Sequence, residues 1–344
     1  MGLSFRHRVW TLVSFVVAGF LLMLLAIEPV SQDPAYHAFA DSRAFFGIPN
    51  FGDVVSNAGF ALVASIAGIT LWGAGARRYF VQPADARPYA VFFVGVALVS
   101  LGSAWYHLAP DNHRLLWDRL PMSMAFMAFT AAVISDRIHS GAGNTWGLAL
   151  LLLAGIASLA YWAWTESMGR GDLRFYGFVQ FFPVIALPLI LWLFPKHRYT
   201  AGRYLGWLVA WFVLSKLFEH FDRAVFDALG HTVSGHTLKH LAAAVAALVV
   251  LRMLLTRTEN PAEAVASDDP RTRLPGPGER EATAGVRGPR AQATGNRRRI
   301  SASRPVRLAP GDAGRAAALR RPARRAGFPG RPPPADGSKN THAP

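Results

Sequence analysis

Read from the N-terminus, the chain alternates between long apolar runs and short polar connections, and the runs are nearly all of bilayer-crossing length. Eight can be marked, near Val9–Ile27, Val54–Gly73, Tyr89–Leu108, Leu120–Ser135, Trp146–Trp164, Tyr176–Phe194, Tyr204–Phe218 and His236–Leu255. Runs of roughly 17–20 apolar residues match the thickness of a bilayer core when helical. The pattern predicts an all-α, polytopic membrane helix bundle: a seven-helix core and one additional N-terminal transmembrane helix. The first run follows Arg6 and Arg8 and is too long for a signal-peptide core, so it is read as an anchor. No internal repeat is evident.

After Leu255 the character changes. Residues 257–344 hold 18 Lys+Arg against 8 Asp+Glu, 13 of the 23 prolines and a single aromatic residue, Phe328. Such a segment buries too little apolar surface to offset its ordering entropy and reads as a disordered basic tail. The expected division is therefore 1–40 for the N-terminal helix and an outer loop, 41–255 for the core, and 256–344 for the tail.

Composition supports the membrane reading: 52% of the 344 residues are hydrophobic and only 17% charged, below the roughly 25% of soluble domains. The formal net charge of +15 is no nucleic-acid signature, because the tail carries +10 of it. Arg297-Arg298-Arg299 and Arg320-Arg321 with Arg324-Arg325 could touch anionic lipid or nucleic acid, but a solvated arm is the simpler reading and no nucleic-acid partner is expected. With no cysteine, disulfides, zinc ribbons and thiol nucleophiles are excluded, so any metal must be held by His, Asp or Glu.

The short loops set an orientation by the positive-inside rule. Arg77, Arg78, Arg87, Arg137, Lys196, Arg198 and Arg203 fall on one side, most acids on the other. Both termini are then cytoplasmic, as in a bacterial inner-membrane protein.

Ionisable residues at membrane depth mark function by default. Ser103 and His107, four apart, share a helical face at the end of the third run. Asp118 stands before the fourth, either as a helix cap or as a working carboxylate. His236 and His240 share a face at the start of the eighth, a spacing that presents two ligands to one metal but also arises by chance. Antiparallel crossing brings the end of the third run to the same membrane face as the starts of the fourth and eighth. His107, Asp118 and the His236/His240 pair then lie at one depth, toward the outer face. Three imidazoles and an open position form a catalytic zinc pattern.

These residues carry a resemblance. Gly102-Ser103-x-x-Tyr106-His107, Leu115-Leu116-x-Asp118-x-Leu120-Pro121-Met122 and His236-x3-His240 are together similar to the motifs of the alkaline ceramidase family. That family belongs to a wider superfamily of seven-helix membrane hydrolases that includes the adiponectin-type receptors. Phe51-x-Asp53-x-x-Ser56-Asn57 also resembles the family's lead into its first core helix.

The resemblance, over roughly 41–255, implies a Zn²⁺-dependent hydrolase of sphingolipid metabolism that cleaves the amide bond of a ceramide-like lipid into fatty acid and sphingoid base. It implies His107, His236 and His240 as zinc ligands, with Ser103 and Asp118 as catalytic groups. The stretch Asp41–Asn50 lacks the Glu and Trp residues with which eukaryotic members bind calcium, so calcium is not expected. The alternative is a zinc-containing lipid sensor without turnover.

Secondary expectations concern neighbouring residues. Lys216, Glu219 and His220 are read as an ion-pair cluster or part of a substrate entrance. Lys239 is expected to meet Glu219 or lipid phosphate. Trp105, Trp117, Trp162, Trp164, Trp207 and Trp211 read mainly as an interfacial belt, and His113 as a loop residue.

Overall fold

A computed structural model describes residues 3–71 and 76–260. Among these residues the secondary structure is helical, with only isolated bridges at Phe45–Ile48 and Tyr199–Glu259. The helices are α1 (Phe5–Ala26), α2 (Phe51–Ser56), α3 (Ala58–Leu71), α4 (Ala76–Tyr79), α5 (Ala86–Leu108), α6 (Asn112–Arg137), α7 (Ser140–Asn144), α8 (Trp146–Ser167), α9 (Arg174–Leu193), α10 (Arg203–His220), α11 (Asp222–Ala228) and α12 (Gly235–Thr256). Each of the eight apolar runs falls on a long helix or, for the second, on the α2–α3 pair. Six of these segments are long and apolar enough to cross a membrane; α6 and α10 carry more charge. The chain is a multi-pass membrane protein.

Packing follows from side-chain size. With lipid outside, apolar burial gives little drive for helix association, and close approach of small residues supplies much of it. Ala125, Ala128, Ala131 and Ala132 are buried on α6, as are Ala242, Ala244, Ala246 and Ala247 on α12. The most extensive pairings are α5 with α6 and α10 with α12. Leu25, Ile69 and Trp192 face outward. Helix α1 buries no residue and lies along α9 through Phe20 against Phe175 and Phe178.

Three features of the sequence aim the bundle's polar end. Helix α6 starts earlier than its apolar run, because Asp111 accepts the Arg114 N–H at 2.7 Å and caps it. Asp118 is therefore not a cap but lies inside the helix, buried. Pro121, also inside α6, has no N–H for the carbonyl of Trp117. Gly102 of α5 sits against that carbonyl: a Cβ there would fall 2.3 Å from the Trp117 oxygen. Without a side chain, Gly102 lets α5 press onto α6 beside Ser103 and Asp118. Finally, Ser234 caps α12 by accepting the Thr237 N–H at 2.9 Å.

Two expected boundaries move. Arg257, assigned to the tail, is buried and pairs with Asp136 at 2.9 Å. The Asn260 N–H donates to the Arg198 carbonyl at 2.7 Å, so the packed chain runs to residue 260. The remainder of the tail, including its arginine clusters, lies outside the described residues, as does Gly73. At the other end, the loop after α1 is no separate appendage; it folds over the polar end of the core.

Candidate metal centre

The buried His107 closes α5, and the buried His236 and His240 open α12. Their ring centroids form a near-equilateral triangle: 4.8 Å for His107–His236, 4.9 Å for His107–His240 and 4.9 Å for His236–His240. One nitrogen of each lies within 4.8 Å of the others. Imidazole nitrogens sharing a tetrahedral zinc ion at 2.0–2.1 Å stand about 3.4 Å apart, so small side-chain shifts would close the shell. Three residues separated by up to 133 positions are thus brought to one point.

The hydrogen bonding fits a metal. Both ring nitrogens of His107 are buried without a partner among the described residues, which is costly for an imidazole unless something else occupies them. Ser56 Oγ lies 2.8 Å from His240 Nδ1 and donates its own proton to the Asp53 carbonyl at 3.1 Å. The hydroxyl thus accepts Nδ1–H, leaving the His240 lone pair on Nε2. An outer partner of this kind fixes the tautomer of a metal-ligating histidine. His236 is held through its backbone, whose N–H donates to Asp222 Oδ1 at 2.8 Å. Its Nε2 lies 3.3 Å from Lys239 Nζ. A cation taken by Nε2 would displace that ammonium, which retains Glu219 at 2.7 Å.

Beside the triangle, a cavity of about 170 Å³ runs between α5, α6, α9, α10 and α12. Most of its wall is apolar, including Val96, Phe126, Leu187 and Phe212. Ser103, Asp118, Lys216, Lys239 and His240 also line it. Asp118 keeps Oδ1 without a partner among the described residues. All five expected site residues are buried at this end, with Ser103, Asp118 and His240 on the cavity and His107 and His236 behind them.

Other expectations resolve individually. Lys239 meets Glu219, and Lys216 pairs with the same carboxylate. Trp162 is no belt residue: it is 1% exposed and packs under the guanidinium of Arg119 at 4.8 Å. His113 stands edge-on to Trp105, outside the cluster.

Sequence reasoning missed the cover. Phe39 sits 4.6 Å from the His107 ring and 4.5 Å from that of His236. Its loop is pinned by His37 to Tyr106 and Asn112, both at 2.9 Å, and by the Ala40 N–H to Asp222 Oδ2 at 2.9 Å. Arg43 clasps Asp41 and donates to the Thr232 carbonyl at 2.8 Å. The hydrogen bonds from Arg43 hold the Asp41 carboxyl below its usual range. An aromatic residue in an aperiodic loop gives no local signal of such a role.

Compared with known proteins, the chain matches no family model and no curated sequence.

Proposed function

We propose that the chain is a zinc-dependent membrane amidase that hydrolyses the N-acyl bond of a ceramide-like lipid, giving fatty acid and sphingoid base. The observation that carries this reading is the His107/His236/His240 triangle, with an unpartnered imidazole, next to a largely apolar cavity that also holds Ser103 and Asp118. The three histidines would hold the ion. Zinc bound there supplies Lewis acidity and a water of lowered pKa.

The remaining roles belong to the protein. Asp118, which lines the cavity and keeps one carboxylate oxygen without a partner among the described residues, takes a proton from the attacking water and passes it to the departing nitrogen. Water oxygen bonds the carbonyl carbon as the C–N bond breaks. Ser103, one turn before His107, donates a hydrogen bond to the oxygen on which charge develops. The apolar wall holds the acyl chain and excludes bulk water, strengthening these charge interactions. Ser56 and Asp222 position His240 and the start of α12. The charge bias of the short loops supports placing this end toward the outer leaflet, with both termini cytoplasmic.

The test is incubation of zinc-loaded protein with short-chain ceramide, following release of fatty acid. Turnover abolished by chelation and restored by zinc is expected. A stoichiometrically zinc-loaded protein that releases none would instead be a lipid-binding sensor.

A further inference from the structure

The polar groups of the cavity are gathered at one level. Ser103 of α5, Asp118 of α6, Gln180 of α9, Ser215 of α10 and His240 of α12 each lie five or six residues in from the histidine end of their helices. All five line the cavity, and at about 1.5 Å of rise per residue they share one depth. Deeper in, the wall is apolar apart from Thr130, whose hydroxyl is taken by the Phe126 carbonyl at 2.8 Å.

Most of the groups at that level are already engaged. Lys216 and Lys239 share the carboxylate of Glu219. His240 is held by Ser56 at 2.8 Å, and Ser103 and Asp118 serve the amide in the reading above. Gln180 and Ser215 are not engaged. Gln180 is 6% exposed and Ser215 4%, yet neither hydrogen-bonds to another described residue. A carboxamide brings two N–H donors and an acceptor oxygen, and leaving them unmet away from water is costly. The partner that Gln180 lacks in the protein can come from the cavity it lines.

Its position says which part of a bound lipid that would be. Helix α6 packs against both α5 and α9, so Gln180 stands one helix beyond Asp118, away from Ser103. With the acyl chain running down the apolar wall, the substituent left at the polar level is the one on the amide nitrogen. A carboxamide is best met by a group that both donates and accepts. A hydroxyl does both and an alkyl carbon does neither. Resting on the amidase reading, we infer that Gln180, with Ser215, selects amides of hydroxylated amines by hydrogen bonding a hydroxyl on the nitrogen substituent.

N-oleoylethanolamine and N-oleoylpropylamine provide the test, because they differ by a hydroxyl in place of a methyl group. Binding is measured on the full chain in detergent, depleted of metal so that no turnover intervenes, and kcat/KM on zinc-loaded protein. The wild type should bind the ethanolamide about tenfold more tightly, the scale of one buried carboxamide met or left unmet. Gln180→Met should bring the two within about twofold by weakening the ethanolamide alone. Gln180→Leu, also apolar, should do the same. Because Gln180 has no partner among the described residues, neither substitution should lower the Tm.

Equal binding of both amides by the wild type, or a preference that survives both substitutions, overturns the inference. Equal weakening of the two amides also overturns it, since Gln180 would then hold the amide itself. So does a lowered Tm with an unchanged ratio, which marks a structural glutamine. Hydroxyl-selective binding without hydrolysis of either amide defeats the amidase reading and leaves the role of Gln180 standing. Hydrolysis without hydroxyl selectivity does the reverse.

Discussion

The two ends of the bundle both bury ionisable residues drawn from distant parts of the chain, but they treat them differently. At the end away from the histidines, Asp85 accepts from Ser140 at 2.5 Å, Asn144 at 2.9 Å, Arg198 at 3.1 Å and Tyr199 at 3.2 Å. Asp136 receives Tyr89 at 2.7 Å and Arg257 at 2.9 Å. The Arg257 guanidinium is also stacked over Tyr199 at 3.9 Å. Asp85 and Asp136 there each have an arginine in contact. At the histidine end His107 has no partner for either nitrogen, and Asp118 and Arg119 each keep a free atom with no ion pair. Both ends bury charge beside a cavity, and Asp136 Oδ1 and Arg257 Nη2 also lack a partner among the described residues; what marks the histidine end is buried ionisable groups with no opposite charge in contact. The first arrangement clamps helices, and the second is prepared for something that is not protein.

That contrast can be broken by substitution, and the largest effect is expected at the open end. Asp118→Asn keeps the side chain's size but removes the proton acceptor, so amide turnover should fall by about 10²–10⁴-fold, with zinc content unchanged. At the clamped end, Arg257→Met strands Asp136. It should cost about 3–5 kcal/mol, read as a lower Tm, while zinc per folded chain stays the same. An Arg257 variant that lost zinc without losing stability would erase the distinction between the two ends.

A smaller effect sharpens it. Ser56→Ala removes the acceptor for His240 Nδ1–H and should weaken zinc binding by about 10–100-fold, measured by chelator competition. The smallest concerns the covering loop. Because Asp41 titrates below its ordinary value of 3.8, the Asp41–Arg43 clasp is fully present above that pH. It is lost only as the pH falls through the depressed value. Proteolytic cleavage near residue 43 should therefore be slow and flat across neutral pH, and faster at neutral pH in Asp41→Asn.

Much of this was legible from one chain because membrane crossing converts sequence order into depth. The eight apolar runs located the long helices, and their antiparallel alternation placed His107 level with His236 and His240. What escaped depends on long-range contacts with no period. Ser56 belongs to a recognised motif, yet its bond to His240 spans 184 positions. Phe39 stands in a loop where neither apolar spacing nor charge distinguishes it. Asp118 was ambiguous because a carboxylate before an apolar run suits a cap; Asp111, seven residues earlier, takes that role. Arg257 looked like the first residue of a basic tail until its stacking on Tyr199 and pairing with Asp136 placed it in the core.

The account depends most directly on what the three imidazoles share. X-ray absorption at the zinc edge, on protein purified with zinc and checked by elemental analysis, reads this without substrate. One zinc per chain with three nitrogen ligands at about 2.0 Å and one oxygen, reduced in occupancy by His107→Ala, is the predicted result. Protein that retains no zinc, or zinc whose shell is unchanged by that substitution, would contradict it.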